Sequence, residues 1–250
     1  MVDFSPQGQF DGAVQSFDDR NHGPSDLHVP GPAEALEFLA ATGQAKRAQG
    51  RAGALESMGS ALNRRGMSPI AVVAYDPGWP VAFEQLRRTI WPAVSDVATS
   101  IEHVGSTSVP GLFAKPVIDI SVVVPTADDV PAAISRLAGL GYSHTGNLGV
   151  DGREAFQSPH HAPRHHLYLC PRSSLALRNH LAVRDHLRTH PDDAAHYGAL
   201  KQQLAGQYPD DIGSYTAGKT VAILRILEVA GFRPDELDTI ERINRRAPGA

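Results

Sequence analysis

Ile101–Val124 reads IEHVGSTSVPGLFAKPVIDISVVV. Its second half, Val117–Val124, is rich in β-branched residues and is the strongest strand signal in the chain. Its first half opens with a short strand, Ser100–Val104, which runs into the Gly105–Gly111 loop. A single carboxylate interrupts the apolar run: Asp119, between Ile118 and Ile120. A carboxylate there is costly to bury unpaired, so a divalent metal or a basic partner is expected beside it. Gly105 allows close approach of the backbone. The hydroxyls of Ser106 and Thr107, with nearby amide N–H groups, suit the cradling of phosphate oxygens. Lys115 follows as a cation next to the same strand. The alternative is structural: Asp119 simply pairs with a local Lys or Arg.

Outward from this stretch, Ile70–Tyr75 reads as a strand, Asp76-Pro77-Gly78 as a turn, and Trp79 to about Trp91 as an amphipathic helix. Asp128–Leu140 reads as a helix ending at glycine. Arg153–Ser158 and His165–Cys170 are strand candidates. Helices follow over about Ser173–Thr189, Asp192–Gln207 and Tyr215–Val229. This order predicts an α/β or α+β fold, a mixed sheet flanked by helices that gather late in the chain. Residues 1–68 are expected to form a flexible, partly helical extension, rich in Gly, Pro, Asp and Ser at its start. The folded domain is expected over 69–232, with 233–250 as a C-terminal tail.

Composition narrows the function classes. The chain has 250 residues, 42% hydrophobic and 20% charged, with 23 Lys plus Arg against 27 Asp plus Glu and a formal charge of −4. A mildly acidic chain has no bulk attraction to nucleic acid or to an anionic membrane surface. Its single cysteine, Cys170, excludes an intrachain disulfide framework and a four-cysteine zinc site, and points to a reducing compartment. No stretch approaches the roughly 20 apolar residues of a membrane helix, and the N-terminus lacks a basic segment followed by an apolar run. A cytoplasmic protein acting on a small molecule is expected, with no nucleic-acid or membrane partner and the oligomeric state open.

Two conspicuous motifs need weighing. Gly213–Thr220, GSYTAGKT, satisfies the P-loop pattern, but no apolar strand precedes it and too little chain follows for a triphosphatase core, so coincidence is expected. The cluster His160, His161, His165 and His166 invites a metal reading. Pro159 and Pro163 forbid a helix there, and on a strand His166 and Tyr168 point to one face, His165 and Leu167 to the other.

Several segments, in the same order along the chain, resemble the GrpB family, a group with the nucleotidyltransferase fold: YDPGWP at 75–80, the 101–120 stretch, GREAF at 152–156, RHHLYL at 164–169, NHLAVRDHLRTHP at 179–191 and YTAGKTVAI at 215–223. The resemblance implies a polymerase-β-like mixed sheet. In that superfamily a Gly-Ser loop binds a nucleoside triphosphate, and carboxylates on the next strand hold Mg²⁺, which activates the attacking hydroxyl. Gly105 and Ser106 match the Gly-Ser signature and Asp119 a metal carboxylate. The superfamily's Asp-x-Asp is broken here, because Ser121 holds the second position; His166 stands where a third carboxylate is expected.

The resemblance also marks Lys115, Arg153, His165, Arg184, Tyr215 and Lys219. Lys115, Arg153 and Lys219 are expected to clamp phosphate or carboxylate, Lys219 within a Y-x-x-x-K pattern. The expected function is therefore transfer of a nucleotidyl or related group to a small molecule. Asp119, His166 and Lys115 would be the catalytic residues. Gly105, Ser106, Thr107, Arg153, His165, Tyr215 and Lys219 would bind substrate, and Asp119 and His166 would hold Mg²⁺ or another divalent ion. Rival readings are a repurposed enzyme that uses histidine acid–base or metal chemistry without nucleotide transfer, and a non-catalytic binding domain.

Overall fold

The structure, a computed structural model, describes residues 69–160 and 162–246. The expectations for residues 1–68 and for His161 lie outside the described residues. The chain runs α1 (Gly78–Val94), β1 (Ser100–Val104), a 3₁₀ turn (Ser106–Ser108), β2 (Ile118–Val124), α2 (Val130–Gly139), β3 (Ser143–Gly146), β4 (Glu154–Gln157), β5 (His165–Pro171), α3 (Leu175–Thr189), α4 (Pro191–Gln207), α5 (Ile212–Val229) and α6 (Pro234–Arg246). The strands form one mixed sheet in the order β1-β2-β5-β4-β3. Only β2 and β5 pair in parallel; α2, β3 and β4 lie between them in sequence.

The sheet's two faces differ in chemistry, as a period of two requires. One face carries Ile101 of β1, Ile118, Ile120, Val122 and Val124 of β2, and Leu167 and Leu169 of β5. These pack against Leu86, Ile90 and Val94 of α1 and Ala133 and Leu137 of α2 in the largest apolar cluster. The other face carries Glu102, Asp119, Ser121, His166 and Tyr168. It gives way to an apolar patch only at Val123 and Cys170, which pack against Leu177 of α3. Helices α3, α4 and α5 gather on this polar side, joined to the β1–β2 connection through Val109 and Leu112.

Two expectations need correction, and one strand is new. Ile70–Tyr75 is not a strand: it makes a single antiparallel bridge, Val73 with Ala114. Its partner segment lies between Pro110 and Pro116, which leave no room for a ladder. The strand β3 was not foreseen, because SHTG lacks apolar alternation. Finally, the segment after 232 is no simple tail. It contains α6, whose Ile240 is buried with Leu227 and Phe232, and whose Glu236 accepts from Arg178 Nη1 at 2.6 Å.

Candidate functional site

The site grows from the β1–β2 connection. Gly105 has φ +69°, a conformation that glycine adopts without strain. A Cβ on it would lie 2.2 Å from Asp119 Oδ2, so the glycine is also what makes room for the carboxylate. The turn that follows is pinned from several sides. Ser108 Oγ donates to the Gly105 carbonyl (2.6 Å), and Arg188 of α3 donates twice to the Ser108 carbonyl, at 3.0 and 2.8 Å. Arg184, one turn earlier on α3, donates to Glu102 Oε2 (2.8 Å) and to the His103 carbonyl (3.2 Å).

Asp119 is not sealed behind a guanidinium. Its side chain is 28% exposed, and Oδ1 accepts from His166 Nδ1 at 2.9 Å across the parallel β2–β5 pair; the His166 side chain is 52% exposed. One carboxylate thus orients one accessible imidazole and leaves its other ring nitrogen outside this bond. Two residues along the same face, Ser121 is fully buried and 3.2 Å from His180 Nδ1 of α3. Burial pushes His180 down to about 4, helped by the positive charge of Arg153.

Three lysines, Lys115, Lys201 and Lys219, feel the charge of Asp119. Lys201 of α4 is 2% exposed. Its ammonium donates to Ser106 Oγ (2.8 Å) and to the Phe113 carbonyl, and sits 4.7 Å from the ring centre of Tyr197. Lys219 of α5 lies 4.4 Å from the Tyr215 ring centre, and Lys115 lies 5.8 Å from the same ring. Neither Lys115 nor Lys219 has a carboxylate partner among the described residues. Burial lowers all three lysines. Like-charge repulsion from Lys219 adds to the effect at Lys201, which falls to about 7, and repulsion from Lys115 adds at Lys219, which falls to about 8; Asp119 opposes the shift in every case.

Arg153 enters this face beside Tyr168, its guanidinium 4.6 Å from the ring centre.

Most of the residues expected from sequence converge here: Gly105, Ser106, Lys115, Asp119, Arg153, His166, Tyr215 and Lys219. Two do not. His165 is buried on the opposite face, where its ring nitrogens meet Tyr142 Oη (2.8 Å) and the Pro163 carbonyl (2.6 Å); strand alternation turns it away from its neighbour. Thr107 is buried, and its hydroxyl donates to the Val117 carbonyl (3.3 Å) and lies 3.1 Å from His103 Nε2, so it braces the turn. The P-loop pattern lies inside α5, where Gly218 packs against Leu204, and forms no loop at all.

The donor set does not suit a resident metal ion. Asp119 and His166 bond to each other, Ser121 meets His180, and Glu102 is held by Arg184. No group of three His, Cys, Asp or Glu side chains able to hold a metal occurs among the described residues.

Sequence reasoning missed Lys201 and His180. Lys201 was legible in principle: Tyr197, Lys201, Leu204 and Ala205 form one buried stripe of α4, and a lysine within such a stripe is out of place.

Comparison with known proteins agrees with this architecture. The family model for the GrpB protein matches residues 69–229. The chain belongs to the GrpB family. A UPF0157 protein of Pseudomonas aeruginosa is 39% identical over 165 residues, covering 63% of this chain and 66% of its own. The crystal structure of GrpB from Enterococcus faecalis superposes with a TM-score of 0.57 at 31% identity, covering 69% of this chain and 98% of that one. Terminal uridylyl transferase 4 from Trypanosoma brucei is a more distant neighbour, with a TM-score of 0.38 at 18% identity, covering 67% of this chain and 56% of that one. The match to a Bacillus subtilis relative spans 44% of that protein's length. No helix among the described residues is long and apolar enough to cross a membrane.

Proposed function

We propose that this GrpB-family chain is a group-transfer enzyme that holds the phosphates of a nucleotide or nucleotide-like small molecule on its lysine-ringed shelf. One observation carries this reading: Lys115 and Lys219 lie 5.8 and 4.4 Å from the same Tyr215 ring, Lys201 is buried against Ser106, and none of the three forms an ion pair with a carboxylate among the described residues. Like charges held together at the expense of their own protonation are a site arranged for an anion. Lys115 and Lys219 meet the phosphates; Lys201 holds Ser106 and the turn in place.

The chemistry falls to Asp119 and His166. Asp119 accepts from Nδ1–H and fixes the tautomer that leaves Nε2 as the base. Nε2 takes the proton of an acceptor hydroxyl as its oxygen bonds to phosphorus. The bond from phosphorus to the leaving phosphate breaks, and the ammonium groups carry the charge that develops there. Histidine and serine in place of two superfamily carboxylates favour a second reading, acid–base chemistry on a phosphorylated metabolite that is not a nucleotide.

Incubation with each ribonucleoside triphosphate and a panel of small hydroxyl acceptors tests the proposal through release of pyrophosphate. Asp119→Asn and His166→Gln are expected to lower the rate at least about a hundredfold with the fold intact by circular dichroism. Unchanged turnover in either variant would contradict the mechanism. Turnover of non-nucleotide phosphates alone would select the second reading.

A further inference from the structure

Arg153 carries a guanidinium nitrogen that no described group satisfies. Its Nε is buried without a hydrogen-bond partner, the only such buried side-chain polar atom among the described residues. The neighbouring carboxylate does not relieve it, since Glu154 pairs with His144 at 2.6 Å. No described acid forms an ion pair with the guanidinium, which rests against Tyr168. A buried, unmatched guanidinium N–H is expensive, and native structures seldom keep one without a purpose.

Its place is also defined. Gly152, at φ +70°, delivers Arg153 onto the sheet; a Cβ there would lie 2.8 Å from Ser174 Cβ. Arg153 and Asp119 both act electrostatically on Tyr168 and His180, so one polar face connects them. Along β5, Tyr168 follows His166 by two residues, a rise of about 7 Å. Asp119 pairs with His166 and Ser121 with Tyr168. The shelf therefore has a phosphate end at Asp119 and the lysines, and a second cationic end at Arg153.

We infer that Arg153 is the subsite for a second anionic group, a carboxylate or phosphate carried by the same small molecule whose phosphate lies among the lysines. The planar fork of arginine suits either group in bidentate fashion. The substrate class is then a bis-anion, with one charged group among the lysines and the other at Arg153. This inference rests on the proposed phosphate site.

Isothermal titration with a matched pair of probes separates the two ideas. Glycerol 3-phosphate and 3-phosphoglycerate share a skeleton, and only the second carries a carboxylate; inorganic pyrophosphate reports on the lysines alone. The wild-type chain is expected to bind 3-phosphoglycerate about tenfold more tightly than glycerol 3-phosphate, the worth of one charge-assisted pair. Arg153→Gln is expected to abolish that preference. Arg153→Lys, which keeps the charge without the fork, should lose most of the preference at an unaltered melting temperature. If pyrophosphate binds but 3-phosphoglycerate gains nothing over glycerol 3-phosphate, or keeps its advantage in Arg153→Gln, the second subsite is overturned and the lysine site stands. If none of the three probes binds, both fall.

Discussion

Gly105 illustrates how much of the site rests on single atoms. Any side chain there meets Asp119 Oδ2 at 2.2 Å, in a backbone conformation that L-residues avoid. Gly105→Ala is therefore expected to cost about 1–3 kcal/mol and to displace the carboxylate. Chemical denaturation would measure the first effect, and loss of phosphate binding the second. The sequence alone made Gly105 legible as a close-approach position, but assigned that approach to phosphate; the structure adds the carboxylate of the next strand. Lys201 carries a residue-scale prediction of pH dependence. Its folded-state value lies near 7 and that of Lys219 near 8, against 10.5 for an ordinary lysine. Between about pH 7 and 10 the unfolded chain then binds more protons than the folded one, so stability rises with pH across that window. Lys201→Met is expected to flatten the rise, read as denaturation midpoints at pH 7, 8 and 9. A slope unchanged in the variant would show that Lys201 is not the group responsible.

Among the elements, β2 and β5 do most to build the site, and their alternation explains what could be read in advance. Asp119 on an otherwise apolar strand was conspicuous, and the parity of His166 with Tyr168 followed from the period of two. The same rule set His165 on the other face, yet the family resemblance drew it into the expected site; burial against Tyr142 shows that the alternation was the better guide. Ser121 and His180 were not legible as a pair, because 59 residues separate them and only the docking of α3 brings them together. Ser121→Ala leaves the buried His180 Nδ1 without its partner and is expected to cost about 1–2 kcal/mol in equilibrium unfolding. A neutral effect would mean that the Ser121–His180 contact contributes nothing to stability. The helices were legible from their 3.6-residue period. β3 and α6 were not: the first is too short and polar to show a period, and the second is strongly charged along its exposed face, with Leu237 and Ile240 as its apolar side chains in the neighbouring core cluster.

For the molecule as a whole, the two faces of one sheet divide the labour. The apolar face with α1 and α2 supplies the main core, and the polar face with α3, α4 and α5 holds the cations around one acid. Helix α6 closes over the α3–α5 side through Ile240, Phe232 and the Arg178–Glu236 pair. Ile240→Ala is expected to cost about 2–4 kcal/mol by cavity formation, measured by thermal or chemical unfolding; a change within about 0.5 kcal/mol would mean that α6 adds little to the fold. The proposed role of this polar face is to bind a phosphate-bearing anion. Calorimetric titration of the wild-type chain and of Lys219→Met with inorganic pyrophosphate at pH 8, in buffers of different ionisation enthalpy, tests it most directly. Saturable one-to-one binding with net uptake of protons is expected, because an anion restores charge to Lys201 and Lys219, with at least about tenfold weaker binding in Lys219→Met. No binding by the wild type, or equal binding without proton uptake in both proteins, would contradict it.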